Sequence, residues 1–83
     1  MAATPDSIPA DKAIDAKGLT CPLPVLRARK AMAGLPVGGV LRVEATDPGA
    51  PKDFDEFVRA AAHEMLATSA ENGVFVFVIK KGP

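Results

Sequence analysis

Few residues in this chain can do chemistry. Its 83 residues include one cysteine, Cys21, and one histidine, His63. Cys21 lies in the stretch Gly18-Leu19-Thr20-Cys21-Pro22-Leu23-Pro24-Val25, where two prolines follow it at alternate positions. Proline has no N–H to give a helix ladder, but the first helical turn leaves its N–H groups unpaired anyway. Pro22 and Pro24 therefore read as helix positions N1 and N3, with Val25 to Met32 carrying the helix onward. Cys21 would then sit at or beside the N-cap, where free N–H groups and the positive end of the helix dipole converge. A thiol so placed tends to ionise and act as a nucleophile. Lys17, upstream in the same loop, is a candidate to favour the anion.

The chemistry of one thiol is narrow. It cannot form an internal disulfide or a Cys-x-x-Cys redox pair. One cysteine and one histidine also argue against a metal site made by the protein alone. A cysteine hydrolase needs a histidine base oriented by a third group, and His63 falls on the solvent side of a different element. Thiol exchange needs no such base: a thiolate attacks a donor sulfur and keeps the new S–S bond. With no second cysteine, that bond must be resolved on another protein, which describes a carrier. A bland reading stands beside it, since cysteine is also a common small core or capping residue. The proline pair, which fixes the loop-to-helix junction rigidly, weighs against mere filler.

Ten basic and ten acidic residues cancel. Nothing in the bulk charge suggests direct nucleic-acid binding, and the lack of Tyr and Trp leaves a poor stacking platform. The longest apolar run, Val74 to Ile79, is too short to cross a bilayer. The N-terminus lacks a basic segment followed by an apolar core. Together with a free thiol, this leads us to expect a cytoplasmic protein with no cofactor and no membrane contact. A monomer is the default expectation.

The elements that must position Cys21 follow from periodicity. Residues 1–11, rich in Ala and Pro, read as a disordered N-terminal tail, and 12–83 as one domain. Lys12 to Ala16 reads as a strand, with Lys17-Gly18 turning out of it. A helix runs from about Pro22 to Ala33, ends at Gly34, and buries Val25, Ala28, Met32 and Leu35. Leu23, Arg27 and Lys30 share its other side and, with Lys17 in the loop before it, form a candidate docking surface. Leu41, Val43 and Ala45 alternate with Arg42, Glu44 and Thr46, the pattern of a strand with one wet face. Phe54, Phe57, Val58, Ala61 and Met65 form the apolar stripe of a second helix. A short strand at Leu66 to Ala70, an Asn72-Gly73 hairpin turn and a strand at Val74 to Ile79 follow. The order is β-α-β-α-β-β. With a right-handed crossover between the first two strands, it predicts an α+β, two-layer sandwich: a four-stranded mixed sheet with both helices on one face. One of the two residue sets of the last strand would lie on the less covered face.

Asp15-Ala16-Lys17-Gly18-Leu19-Thr20-Cys21-Pro22-Leu23-Pro24 resembles the signature of the TusA/SirA family of small sulfur-carrier proteins, whose hallmark is Cys-Pro-x-Pro. The match continues through Asp47-Pro48, Asp53, Phe57, His63-Glu64, Asn72-Gly73 and Lys80-Lys81-Gly82, from about residue 12 to the C-terminus. The resemblance implies the same two-layer fold and a persulfide on Cys21. The sulfur would come from a cysteine desulfurase or a rhodanese-like donor and go to an acceptor such as a DsrE-type protein. It would serve tRNA 2-thiouridine synthesis, or sulfur oxidation, molybdenum-cofactor supply or selenium metabolism. Cys21 carries over as the reactive residue, with Pro22, Pro24 and Gly18 as its frame. Asp15, Asp47 and Asp53 carry over as motif positions, with capping or turn duty. Two rivals remain at this level: a regulatory interaction module in which the motif only starts a helix, and an RNA-binding module on the exposed sheet.

Overall fold

A computed structural model describes residues 4–83. The first three residues of the expected tail lie outside the described residues. The elements are β1 (Lys12–Ala16), α1 (Leu23–Ala33), β2 (Val40–Ala45), α2 (Ala50–Ala60), β3 (Glu64–Glu71) and β4 (Val74–Lys80), preceded by a single 3-10 turn at Pro5–Ser7. The sheet order is β1-β2-β4-β3. β1 and β2 are parallel, and β4 runs antiparallel to both of its neighbours. This is the expected mixed sheet with both helices on one face.

The core explains why the helices share that face. Leu41, Val43 and Ala45 of β2 and Phe77 and Ile79 of β4 meet Ala28 and Met32 of α1 and Phe54, Phe57 and Val58 of α2. Phe54 stacks on Phe77 with ring centroids 4.5 Å apart and planes 14° apart. It meets Phe57 edge to face at 6.3 Å. Aromatic pairs of this kind add about 0.5–1.5 kcal/mol beyond the burial of their area.

Because β1 and β2 are parallel and each feeds a helix, both helices start at the same edge of the sheet. The two connecting loops are tied there: the Gly18 N–H donates to Thr46 Oγ1 at 2.9 Å. Gly18 has φ +81°, which its missing side chain permits. The Lys17 N–H donates to Asp15 Oδ1 at 2.9 Å, closing the turn that leaves β1.

Three expectations are corrected. The second helix does not reach Met65. It ends at Ala60, and Ala62 turns left-handed at φ +58°. The His63 N–H then donates to the Val58 carbonyl at 2.9 Å and the Ala62 N–H to that of Arg59 at 3.3 Å, a helix-ending pattern usually built on glycine. Glu64 and Met65 join β3 instead, because pairing with Lys80 and Ile79 of β4 satisfies their backbone. An irregularity between Met65 and Ala67 sits at Leu66, where the third strand was expected to begin. The Asn72-Gly73 turn is as read: both residues have positive φ, +53° and +77°.

The second correction concerns β4. Phe75, Phe77 and Ile79 face the helices, while Val76 and Val78 lie on the other face. That face is not left bare, since Val78 is 0% exposed.

The third correction explains this cover. Residues 4–11, expected to fray, instead lie against the sheet. The Pro5–Ser7 turn touches β3 and β4, and Pro5 is buried. The Asp11 N–H donates to the Val40 carbonyl, and the Val40 N–H to Asp11 Oδ2, both at 2.8 Å.

Ala62→Gly should stabilise the protein. An L-residue in the left-handed region costs about 1–2 kcal/mol, and the added freedom of glycine in the unfolded chain returns part of the gain. Thermal unfolding should show a midpoint a few degrees higher. An unchanged or lower midpoint would mean that Ala62 bears no strain.

Candidate functional site

The site is built by the start of α1 and the first turns of α2. Helix α1 begins at Leu23, with Pro22 as its N-cap and Pro24 in its first turn. The prolines therefore stand one position earlier than N1 and N3. The reason is that the Leu23 N–H closes back onto the Thr20 carbonyl at 2.9 Å, so the turn before the helix consumes Cys21 and Pro22. The Cys21–Pro22 peptide is cis. Pro24 is buried and fixes the helix start against the core, whereas Cys21 is exposed with a free thiol.

Cys21 opens onto a groove of about 280 Å³ between the two helices, lined among others by Pro22, Val25, Asp53, Glu56 and Phe57. Its electrostatics reverse the expectation of a depressed thiol pKa. The thiol is pushed above the ordinary cysteine value, first by a hydrogen bond to the Asp53 carboxylate and then by partial desolvation. The charges of Asp53, Asp47 and Glu56 add to the effect. The two helix starts do bring partial positive charge to this edge, each equivalent to about half a unit charge. Three carboxylates with full charges outweigh it.

Lys17 does not help the thiolate. Its ammonium donates to Glu44 Oε1 at 3.1 Å and lies 4.0 Å from Asp15. Its pKa is raised by that hydrogen bond first, with the charges of Asp15 and Glu44 adding to it. The lysine is thus committed to the sheet's other face.

The docking residues read from the sequence separate in space. Leu23 is exposed near the cysteine end of α1. Arg27 and Lys30 instead line a hollow beside β1, with Lys12 and Ile14. The cation that reaches the Cys21 groove is Arg29, whose guanidinium carbon lies 5.7 Å from the Phe57 ring centroid. Arg29 is three positions on from Leu26, and helical spacing alone could have set it near Val25; nothing in the sequence said which flank would face α2.

Asp47 makes a turn bond, its Oδ2 accepting the Gly49 N–H at 3.1 Å ahead of α2, whereas Asp53 makes no capping bond and lies only in the first turn of that helix. Asp53 additionally faces the sulfur, a role that sequence reasoning missed, together with that of Glu56. His63 is not a solvated helix residue. It lies past the end of α2, edge-on to Phe57 with ring centroids 5.4 Å apart, and its Nδ1 accepts the Gly82 N–H at 3.0 Å. Desolvation first, then the charge of Lys81, lowers its pKa. Held in that hydrogen bond, it is not a base for Cys21. Among the described residues no cluster of His, Cys, Asp and Glu could hold a metal ion. Nor, among the described residues, is any helix long and apolar enough to cross a membrane.

Fold and site together define a class: a small α+β domain with one accessible thiol at the junction of its first strand and first helix. Residues 12–81 match the family model described as Sulfurtransferase TusA. The chain belongs to the TusA family. It is 49% identical over 71 residues to the sulfur carrier protein TusA of Allochromatium vinosum, covering 86% of this chain and 93% of that one. It is 38% identical over 78 residues to the protein of the same name from Pseudomonas savastanoi pv. phaseolicola, covering 94% and 93%. A solved SirA-like protein from Desulfitobacterium hafniense superimposes with a TM-score of 0.76 at 31% identity, covering 87% of this chain and 99% of that one.

Asp53→Asn should lower the thiol pKa, because it removes the charge that favours the protonated form. Alkylation by iodoacetamide follows the thiolate fraction, so its rate at pH 7.5 should rise several-fold and its pH profile should shift to lower pH. Glu56→Gln should shift the profile less. A profile that does not move in Asp53→Asn would mean that Asp53 does not control the sulfur.

Proposed function

We propose that this protein is a sulfur carrier that accepts sulfane sulfur on Cys21 and passes it to an acceptor protein. The observation that supports this most is that the chain's single cysteine is exposed, held by a buried proline at the mouth of an interhelical groove. The step balances without a cofactor. The Cys21 thiolate attacks the terminal sulfur of a donor persulfide, R–S–SH. An S–S bond forms on Cys21 as the donor S–S bond breaks. The proton leaving Cys21 is matched by the one taken up by the departing donor thiolate. The products are Cys21–S–SH and R–SH. An acceptor thiolate then repeats the exchange on the terminal sulfur.

A cysteine desulfurase or a rhodanese-like protein is the proposed donor, and a DsrE-type or other thiol protein the acceptor. The product pathway is proposed as tRNA 2-thiouridine synthesis or another sulfur-trafficking route. Such a relay is a cytoplasmic one that needs neither nucleic acid nor membrane at this protein, and a monomer suffices. The acidic surroundings of Cys21 bear on the mechanism. The resting thiol is mostly protonated, so uptake depends on the encounter. Asp53 lines the same groove as Cys21, and we propose that it receives the thiol proton as the sulfur attacks.

A second reading, a non-catalytic interaction module in which the motif only starts α1, draws on that same protonated thiol. Incubation with a desulfurase and free cysteine, followed by intact-mass spectrometry, separates the two. The carrier reading expects an adduct of one sulfur, removed by reductant and absent in Cys21→Ala. No adduct from any sulfane donor, with partner binding intact in Cys21→Ser, would favour the module instead.

A further inference from the structure

The sheet face away from the helices carries a line of charges that no part of the sulfur chemistry uses. Asp6 of the N-terminal turn pairs with Arg42 of β2 at 3.1 Å. The other guanidinium nitrogen of Arg42 lies 3.5 Å from Glu44. Glu44 in turn pairs with Lys17 at 3.1 Å. Arg42 and Glu44 are two apart on one strand, so their side chains point to the same face. The ladder thus runs along β2 from the segment before β1 to the loop after it. Lys17 stands next to Gly18, whose N–H is bonded to Thr46, and Cys21 follows in the same loop.

The segment that starts the ladder is lightly held. Beyond its internal turn, Pro5–Ser7 is anchored by the buried Pro5 ring and by the Asp6 pair. The Asp6 side chain is 88% exposed. Downstream, Asp11 clamps the chain to Val40 on both backbone groups, so residues 4–10 can lift without disturbing β1. Lifting would uncover the part of β3 and β4 that the Pro5–Ser7 turn touches.

We infer that residues 4–10 form a displaceable strap that positions the Cys21 loop from the opposite face of the sheet, acting through Asp6, Arg42, Glu44 and Lys17. With the strap seated, Arg42 is shared between Asp6 and Glu44. With it lifted, Arg42 turns wholly to Glu44 and competes with Lys17 for that carboxylate. Lys17 is then freer, and the Gly18–Thr46 hydrogen bond opens more often. The four are positioning residues; none touches the sulfur. The inference does not depend on what Cys21 carries.

The test uses the full chain with Asp6→Asn, Asp6→Glu and Pro5→Gly. Amide hydrogen exchange at Gly18 and the alkylation rate of Cys21 are measured at low salt and in 1 M NaCl, a concentration that screens exposed pairs. Asp6→Asn and Pro5→Gly should each speed Gly18 exchange by about two- to five-fold, the range that an exposed ion pair can support. They should also change the alkylation rate of Cys21 measurably. Asp6→Glu should restore the native values, and high salt should abolish the difference between Asp6→Asn and the native chain. Asp6 is exposed, so its variants should fold; Pro5 is buried, so a thermal melt confirms that Pro5→Gly is folded before its exchange is read. If the effects of Asp6→Asn stop at Arg42, with Gly18 exchange and Cys21 alkylation unchanged, the strap is only a cover and the inference fails. Sulfur loading is a separate readout: loss of loading with normal Gly18 coupling would overturn the carrier reading alone.

Discussion

The parallel pairing of β1 and β2 governs this molecule. Two parallel strands must each leave the sheet at the same edge, and each here enters a helix. The backbone hydrogen bonds that hold Ile14 beside Val43 and Ala16 beside Ala45 thereby bring two loops and two helix starts together. The aromatic stripe of α2 then seats that helix on the sheet through Phe54 on Phe77 of β4. A single thiol on one loop and a carboxylate on the neighbouring helix meet for that reason, although they are far apart in sequence. The site is a consequence of sheet topology before it is a consequence of any motif.

That order of causes explains what was legible in the residues alone. The strand alternation at Leu41, Val43 and Ala45, the Asn72-Gly73 turn and the apolar run of β4 are local signals, and each appears where it was read. The fold class follows from them and from the crossover rule. Cys21 stood out as the candidate reactive residue because the chain has no other cysteine and because two prolines frame it. The end of α2 was not legible. The apolar stripe runs through Ala61 to Met65 at helical spacing, and only the competing pairing of Met65 with Ile79 shows where the helix must stop. Ala62 in a left-handed conformation is a place where glycine would have announced the turn.

The electrostatics of the site were the least legible part. A cysteine beside a helix start, with a lysine in the same loop, suggests a stabilised thiolate when only the local chain is considered. Lys17 faces away because alternation along β1 and its turn carries it to the outer face, where Glu44 waits. Asp53 and Glu56 face the sulfur because α2 lies across the groove. Neither fact is local. The N-terminal segment shows the same lesson in another form: composition marks residues 4–11 as loose, yet the Pro5–Ser7 turn lies against β3 and β4 with Pro5 buried.

A protonated thiol is a coherent choice for the proposed carrier. A thiol of higher pKa ionises less, but its thiolate attacks faster once formed and departs more slowly as a leaving group. At rest, the carboxylates around Cys21 therefore shield it from indiscriminate electrophiles. In the proposed function, transfer from Cys21 to an acceptor would require the Cys21 thiolate to leave, and the same carboxylates would disfavour that departure and hold the cargo. A cation brought against Asp53 and Glu56 by a docked protein would reverse both effects together. It would release the thiolate for uptake and ease its departure for delivery. The groove that exposes the sulfur is also where those carboxylates can be reached, so access and activation are tied to the same surface.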